Sequence, residues 1–227
     1  MAENTTTPEE TIIEALRQYT SCDVADALVK LGVPDGGFLP GITMWSPKRQ
    51  DGDTKIVGPA YVVVYAPHDD PRPKWPTHYI DFVPPGSVIF VTSTDKSHSN
   101  ALYGGLMSTR AKASGAEGTV IDGRFRDLDE QRGLEYPVFA RDVGTAPPGP
   151  VLKVVAVNSE PVRGLCSIDV SPGDYVIGDV NGVVVLPRAL AEKALPLMEK
   201  QVAADSKMAV EIAKGMTFTE ASKKFRS

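Results

Sequence analysis

The stretch from Tyr103 to Glu130, YGGLMSTRAKASGAEGTVIDGRFRDLDE, constrains this chain more than any other. Gly104-Gly105 opens it as a glycine turn, and Leu106 to Ser114 reads as a helix. Gly115 supplies the stop, and Gly118 to Ile121 reads as a short buried strand. A polar exit follows, Asp122-Gly123-Arg124-Phe125-Arg126-Asp127. A helix N-terminus offers free N–H groups to an anion. A carboxylate beside an arginine at a strand end can hold a hard divalent cation and an anionic substrate together. The segment therefore points to metal-assisted chemistry on a small carboxylate.

Around it, Pro8 to Gln18 has helical spacing with Thr7 as its cap. Ser21 to Leu31 predicts a second helix, capped by Ser21 and ended by Gly32. The β-branched runs Tyr61–Tyr65, Ser87–Val91, Leu152–Val157 and Tyr175–Gly178 read as buried strands, as does Pro137–Ala140. Asn181-Gly182 signals a hairpin into Val183–Leu186. Arg188 to Lys214 predicts a long amphipathic helix stopped by Gly215, and Thr217 to Phe225 a last one. Residues 1–8 are expected to be disordered. No linker divides the 227 residues, so one domain with helical ends is expected, residues 188–227 forming its C-terminal helical region.

Charge and composition exclude several classes. The net charge is −5 and no basic stripe with aromatics occurs, which argues against a nucleic-acid groove. No apolar run approaches the roughly 20 residues that cross a bilayer. The N-terminus has no signal-peptide pattern, so a cytoplasmic location is expected. Cys22 and Cys166 are expected to be two thiols rather than a bridge. His68, His78 and His98 have no metal spacing, although His98 precedes the glycine turn closely enough to line the same cleft. Ser108 and Thr109 lack a GxSxG elbow, and Lys112 sits mid-helix, a poor position for Schiff-base chemistry. Asp122-Gly123 reads as a turn or a ligand, and Arg124 as solvent-facing.

The segment GGLMSTRAKASGAEGTVIDGRFRDLDE resembles the family that contains 4-hydroxy-4-methyl-2-oxoglutarate aldolase and the regulator of ribonuclease activity A. YPVFARDVGTAPP at 136–148, VNSEPV at 157–162 and SPGDYVIGDVNGVVVLP at 171–187 extend the resemblance over roughly residues 20–215. It implies an α/β swivelling β/β/α domain, a β-sandwich-like core flanked by helices. It also implies homotrimers or hexamers with clefts between subunits. The implied activity is that of a class II, Mg²⁺- or Mn²⁺-dependent lyase. Such a lyase cleaves 4-hydroxy-2-oxo acids to pyruvate and decarboxylates oxaloacetate.

By motif, Asp127 resembles the metal ligand and Arg126 the substrate-binding arginine. Gly104, Gly105, Leu106 and Met107 resemble the cradle for the pyruvate carboxylate. In several members the second residue of the turn is acidic; here it is Gly105. Glu199 and Asp205, on the C-terminal helix, are candidates to complete the outer shell from a neighbouring subunit. The alternatives are a non-catalytic regulator that binds protein, and a related lyase turned to another oxo acid.

Overall fold

The computed structural model describes residues 7–95, 97–163 and 168–226. Of residues 1–8, expected to be disordered, Thr7 and Pro8 instead open the first helix, and residues 1–6 and any role of Cys166 lie outside the described residues. Cys22 is an exposed free thiol.

Four parallel strands form the centre: β2 (Ile56–Pro67), β3 (Val88–Ser93), β5 (Gly118–Phe125) and β6 (Val138–Val143). β1 (Thr43–Ser46) is antiparallel on β6, and β4 (Ala101–Tyr103) runs parallel to the end of β5. The long β2 forks. Its first half pairs with β10 (Tyr175–Asp179) and its second half with β7 (Leu152–Val157), both antiparallel. β11 (Gly182–Leu186) closes a hairpin on β10, and β8 (Val162–Arg163) pairs separately with β9 (Asp169–Val170). The Leu39 N–H reaches Val183 O at 2.9 Å, so the chain entering β1 leans on β11 and the sheet nearly closes. The fold is thus mixed α/β with helices at its termini.

The period-2 pattern of β2 explains the layering. Ala60, Val62, Val64 and Ala66 face an interior shared with Val88, Phe90, Val120, Phe139, Val176 and Val185. Tyr61, Val63 and Tyr65 face outward, beneath α3 (Gly105–Ala113) and α4 (Leu128–Gly133). Tyr175, Ile177, Val184 and Leu186 are covered by α1 (Pro8–Leu16), α2 (Ser21–Lys30) and α5 (Ala191–Ala213). Each fully buried side chain of this size contributes about 1.5–3 kcal/mol. α6 (Phe218–Phe225) docks on α5, tied by an ion pair in which Arg226 Nε meets Asp205 at 2.6 Å.

Capping boxes start α1 at Thr7–Glu10 and α6 at Thr217–Glu220. The cap of α2 is Thr20, whose hydroxyl accepts from the Asp23 N–H, and not Ser21. Ser21 instead bonds the buried carboxylate of Asp179 through its N–H and its hydroxyl. The hairpin pairs Asp179 with Gly182, so its loop is Val180-Asn181 and Gly182 already belongs to β11.

The polar exit after Ile121 is also different from the sequence expectation. β5 continues through Phe125, so Asp122-Gly123 is strand rather than turn. Asp122 is buried, accepts from Thr92 at 3.1 Å, and pairs with Arg141 Nε at 2.6 Å. Arg141 also donates to Pro40 O. The pair knits β3, β5 and β6 to the segment before β1.

Candidate active site

The carboxyl ends of parallel strands are where open α/β sheets place ligands. β4 and β5 end side by side. β4 runs through Gly104 into α3, and β5 runs through Arg126-Asp127 into α4. The Arg126 N–H donates to Tyr103 O at 3.0 Å and locks the two exits together. Asp127 takes a left-handed conformation, φ 63° and ψ 45°, which aspartate tolerates better than most residues. That turn brings its carboxylate back to the N-terminus of α3, where Oδ2 accepts the Gly105 N–H at 2.9 Å. Arg126 Nε lies 3.4 Å from the same oxygen. Among the described residues, Oδ1 has no such partner and remains available to a ligand.

Two close approaches explain the glycines. A Cβ on Gly104 would sit 2.7 Å from Asp127 Oδ2, and one on Gly105 would sit 2.0 Å from Glu130 Oε2. Any side chain at either position displaces a carboxylate.

The result is a cleft of about 460 Å³, lined among others by Tyr65, His78, Tyr103, Gly104, Leu106, Met107, Arg126, Asp127, Glu130 and Pro148. That is at the small end for ligand pockets. Gly105 is buried behind it. The Met107 N–H turns to Gly104 O at 3.0 Å and the Gly105 N–H to Asp127. Of the four positions expected from the sequence to form a cradle, Gly105 and Met107 have their N–H groups engaged in these ways, while among the described residues the Leu106 N–H has no such partner and can face a ligand.

Burial pushes the Tyr65 phenol up to about 12, and holds Tyr103 well above the usual tyrosine range. Both walls are therefore neutral hydroxyls near pH 7. The Tyr103 hydroxyl is engaged by Ser108 and Thr119 beneath α3.

Other sequence candidates lie elsewhere. His98 does not line the cleft; His78 does, stacked on Tyr79 with its Nδ1 accepting from the Ile80 N–H. Nothing in the spacing of His78 announced this, because a short helical turn and the strand β3 separate it from the motif along the chain. Lys112 donates to Leu134 O at the end of α4. Within one chain neither Glu199 nor Asp205 lines the cleft. Asp205 is held by Arg226 and Gln201, and Glu199 is exposed. Glu130, in the first turn of α4, does reach it.

No cluster of three or more His, Cys, Asp or Glu occurs among the described residues. The carboxylate oxygens of Asp127 and Glu130 are hard donors, few in number, and fit Mg²⁺ or Mn²⁺, ions that keep several waters. No helix among the described residues is long and apolar enough to cross a membrane.

Comparisons with known proteins bear on the family and the fold. A family model described as RraA-like, Aldolase/RraA, matches residues 21–185. Protein DlpA of Legionella pneumophila is 28% identical over 95% of this chain, which spans only 35% of that larger protein. A Methanocaldococcus jannaschii protein, MJ0644, is 36% identical over 46% of this chain and 50% of its own length. A Halalkalibacterium halodurans protein named "Putative 4-hydroxy-4-methyl-2-oxoglutarate aldolase" is 29% identical over 82% of this chain and 80% of its own. Among solved structures, an uncharacterized Pseudomonas syringae pv. tomato protein superposes with a TM-score of 0.79 at 30% identity, covering 93% of this chain and 96% of that one. Streptomyces coelicolor RraAS2, described as an unusual member of the RNase ES inhibitor RraA family, superposes at 0.70 with 23% identity, over 92% and 98% of the two chains. The match over residues 21–185, on a sheet of the same build, means that this chain belongs to the RraA-like, Aldolase/RraA family.

Proposed function

We propose that this protein is a divalent-metal-dependent lyase of small 2-oxo acids. It cleaves 4-hydroxy-2-oxo acids of the 4-hydroxy-4-methyl-2-oxoglutarate type to pyruvate, decarboxylates oxaloacetate, or does both. The observation that carries the reading is the Arg126–Asp127 pair held at the N-terminus of α3 inside a cleft of small-acid size. Relatives named as aldolases of this substrate support it.

Both reactions pass through a pyruvate enolate, and the difficulty is its negative charge. Bound Mg²⁺ or Mn²⁺ supplies Lewis acidity toward the keto oxygen. Asp127 would hold the ion, while Gly105 and Arg126 fix one of its carboxylate oxygens and hence its rotamer. The Arg126 guanidinium offsets charge on the keto oxygen as it grows. The Leu106 N–H, at the positive end of α3, orients the substrate carboxylate. Tyr65 and Tyr103 form a neutral wall, which keeps those charges strong by excluding water.

The trimeric or hexameric assembly is part of the proposal. Leu106 is 76% exposed at the mouth of the cleft and is the side chain a neighbouring subunit would cover.

A coupled pyruvate assay with oxaloacetate and a 4-hydroxy-2-oxo acid tests the reading. EDTA is expected to abolish pyruvate release, and added Mg²⁺ or Mn²⁺ to restore it. Release that ignores the chelator contradicts the proposal. No release with any metal shifts the reading to a protein-binding regulator.

A further inference from the structure

Glu130 is an exposed first-turn residue of α4, yet its carboxylate leans into the cleft and lies against Gly105. Among the described residues it has neither an ion pair nor a hydrogen bond. An acid that is merely on the surface would extend into solvent; this one occupies the volume a side chain at position 105 would fill. A Cβ there would be 2.0 Å from Oε2, 3.0 Å from Cδ and 3.1 Å from the Glu130 Cβ. The bare backbone at Gly105 is thus what admits the carboxylate.

A cation on Asp127 would receive few protein ligands, because no group of three or more His, Cys, Asp or Glu comes together among the described residues, and His78, which lines the same cleft, has its Nδ1 taken by the Ile80 N–H. Mg²⁺ and Mn²⁺ sites of this kind keep most of their waters. Those waters need acceptors beyond the first ligand, and such partners tune affinity strongly.

We propose that Glu130 is the second carboxylate of the site, a positioning residue that accepts hydrogen bonds from the cation's waters, and that Gly105 exists to make room for it. This rests on the lyase reading above. Geometry also dictates a reciprocal relation. An aspartate grafted at position 105 collides with Glu130, but it delivers a carboxylate to the same space once Glu130 is gone.

Mn²⁺ binding to the full chain, followed by calorimetry with pyruvate release in parallel, tests the inference. Five variants are compared with wild type: Glu130→Gln, Glu130→Gly, Gly105→Asp, the double variant Gly105→Asp/Glu130→Gly, and Asp127→Ala. Glu130→Gln is expected to keep its melting temperature, being an exposed change, and to weaken Mn²⁺ by about tenfold to a hundredfold. Gly105→Asp alone and Glu130→Gly alone are each expected to weaken it. The double variant is expected to return to within about threefold of wild type, a coupling that a structural role at either site would not produce. Glu130→Gln binding Mn²⁺ within about threefold of wild type overturns the inference, as does a double variant no better than Glu130→Gly. If Asp127→Ala binds Mn²⁺ as wild type does, the lyase reading itself falls, and this inference with it. If only the Glu130 arms are silent, the lyase reading stands and this inference fails.

Discussion

Asp127→Ala is expected to abolish metal-dependent pyruvate release, a loss of about a thousandfold or more, since Lewis-acid stabilisation is worth several kcal/mol. The change is also expected to leave a folded protein. Asp127 accepts one backbone N–H, from Gly105, and a net hydrogen bond of that kind is worth about 0.5–1.5 kcal/mol. Its left-handed backbone adds a modest strain when aspartate is replaced by alanine. Asp127→Asn separates the two roles. The amide oxygen can still accept from Gly105, but the charge that seats the cation is lost. Activity is expected to fall with Asn nearly as far as with Ala, with the thermal midpoint closer to wild type. Turnover at the wild-type rate in either variant contradicts the assignment.

Arg126→Ala is expected to lower kcat by about 10²–10³-fold, the typical loss when one preorganised donor to a developing oxyanion is removed. Its backbone N–H bonds Tyr103 O independently of the side chain, so the join between β4 and β5 survives. Circular dichroism and melting are therefore expected to match wild type. Arg126→Lys is expected to recover only part of the loss. A lysine supplies charge but not the planar fork that lies against both Asp127 and the substrate. Unchanged kinetics in Arg126→Ala would place the guanidinium outside the chemistry.

What was legible in the sequence was local. The β-branched runs announced β2, β3, β7 and β10, because buried strands need that composition. Thr7, Gly115 and Gly215 announced helix ends through their own backbone chemistry. β1 and β4 were missed, being three- or four-residue strands that exist only through their neighbours. Asp122-Gly123 has the local signature of a turn; β6 pairs the residues on either side of it, Ile121 and Arg124, and Asp122 is engaged by Thr92 and Arg141, contacts that no local pattern encodes.

The site shows the same division. Asp127 and Arg126 stand out by motif, and so do the glycines. Gly105 and Glu130 are far apart along the chain, and their contact appears only once α3 and α4 sit side by side. His78 enters the cleft by a loop route that no periodicity encodes.

The most direct measurement is the anomalous density of Mn²⁺ in crystals soaked with the ion and oxalate, a two-oxygen mimic of the enolate. The account predicts one peak within bonding distance of Asp127 Oδ1, with oxalate between it, Arg126 and the Leu106 N–H. A peak elsewhere, or oxalate bound away from Arg126, would contradict it.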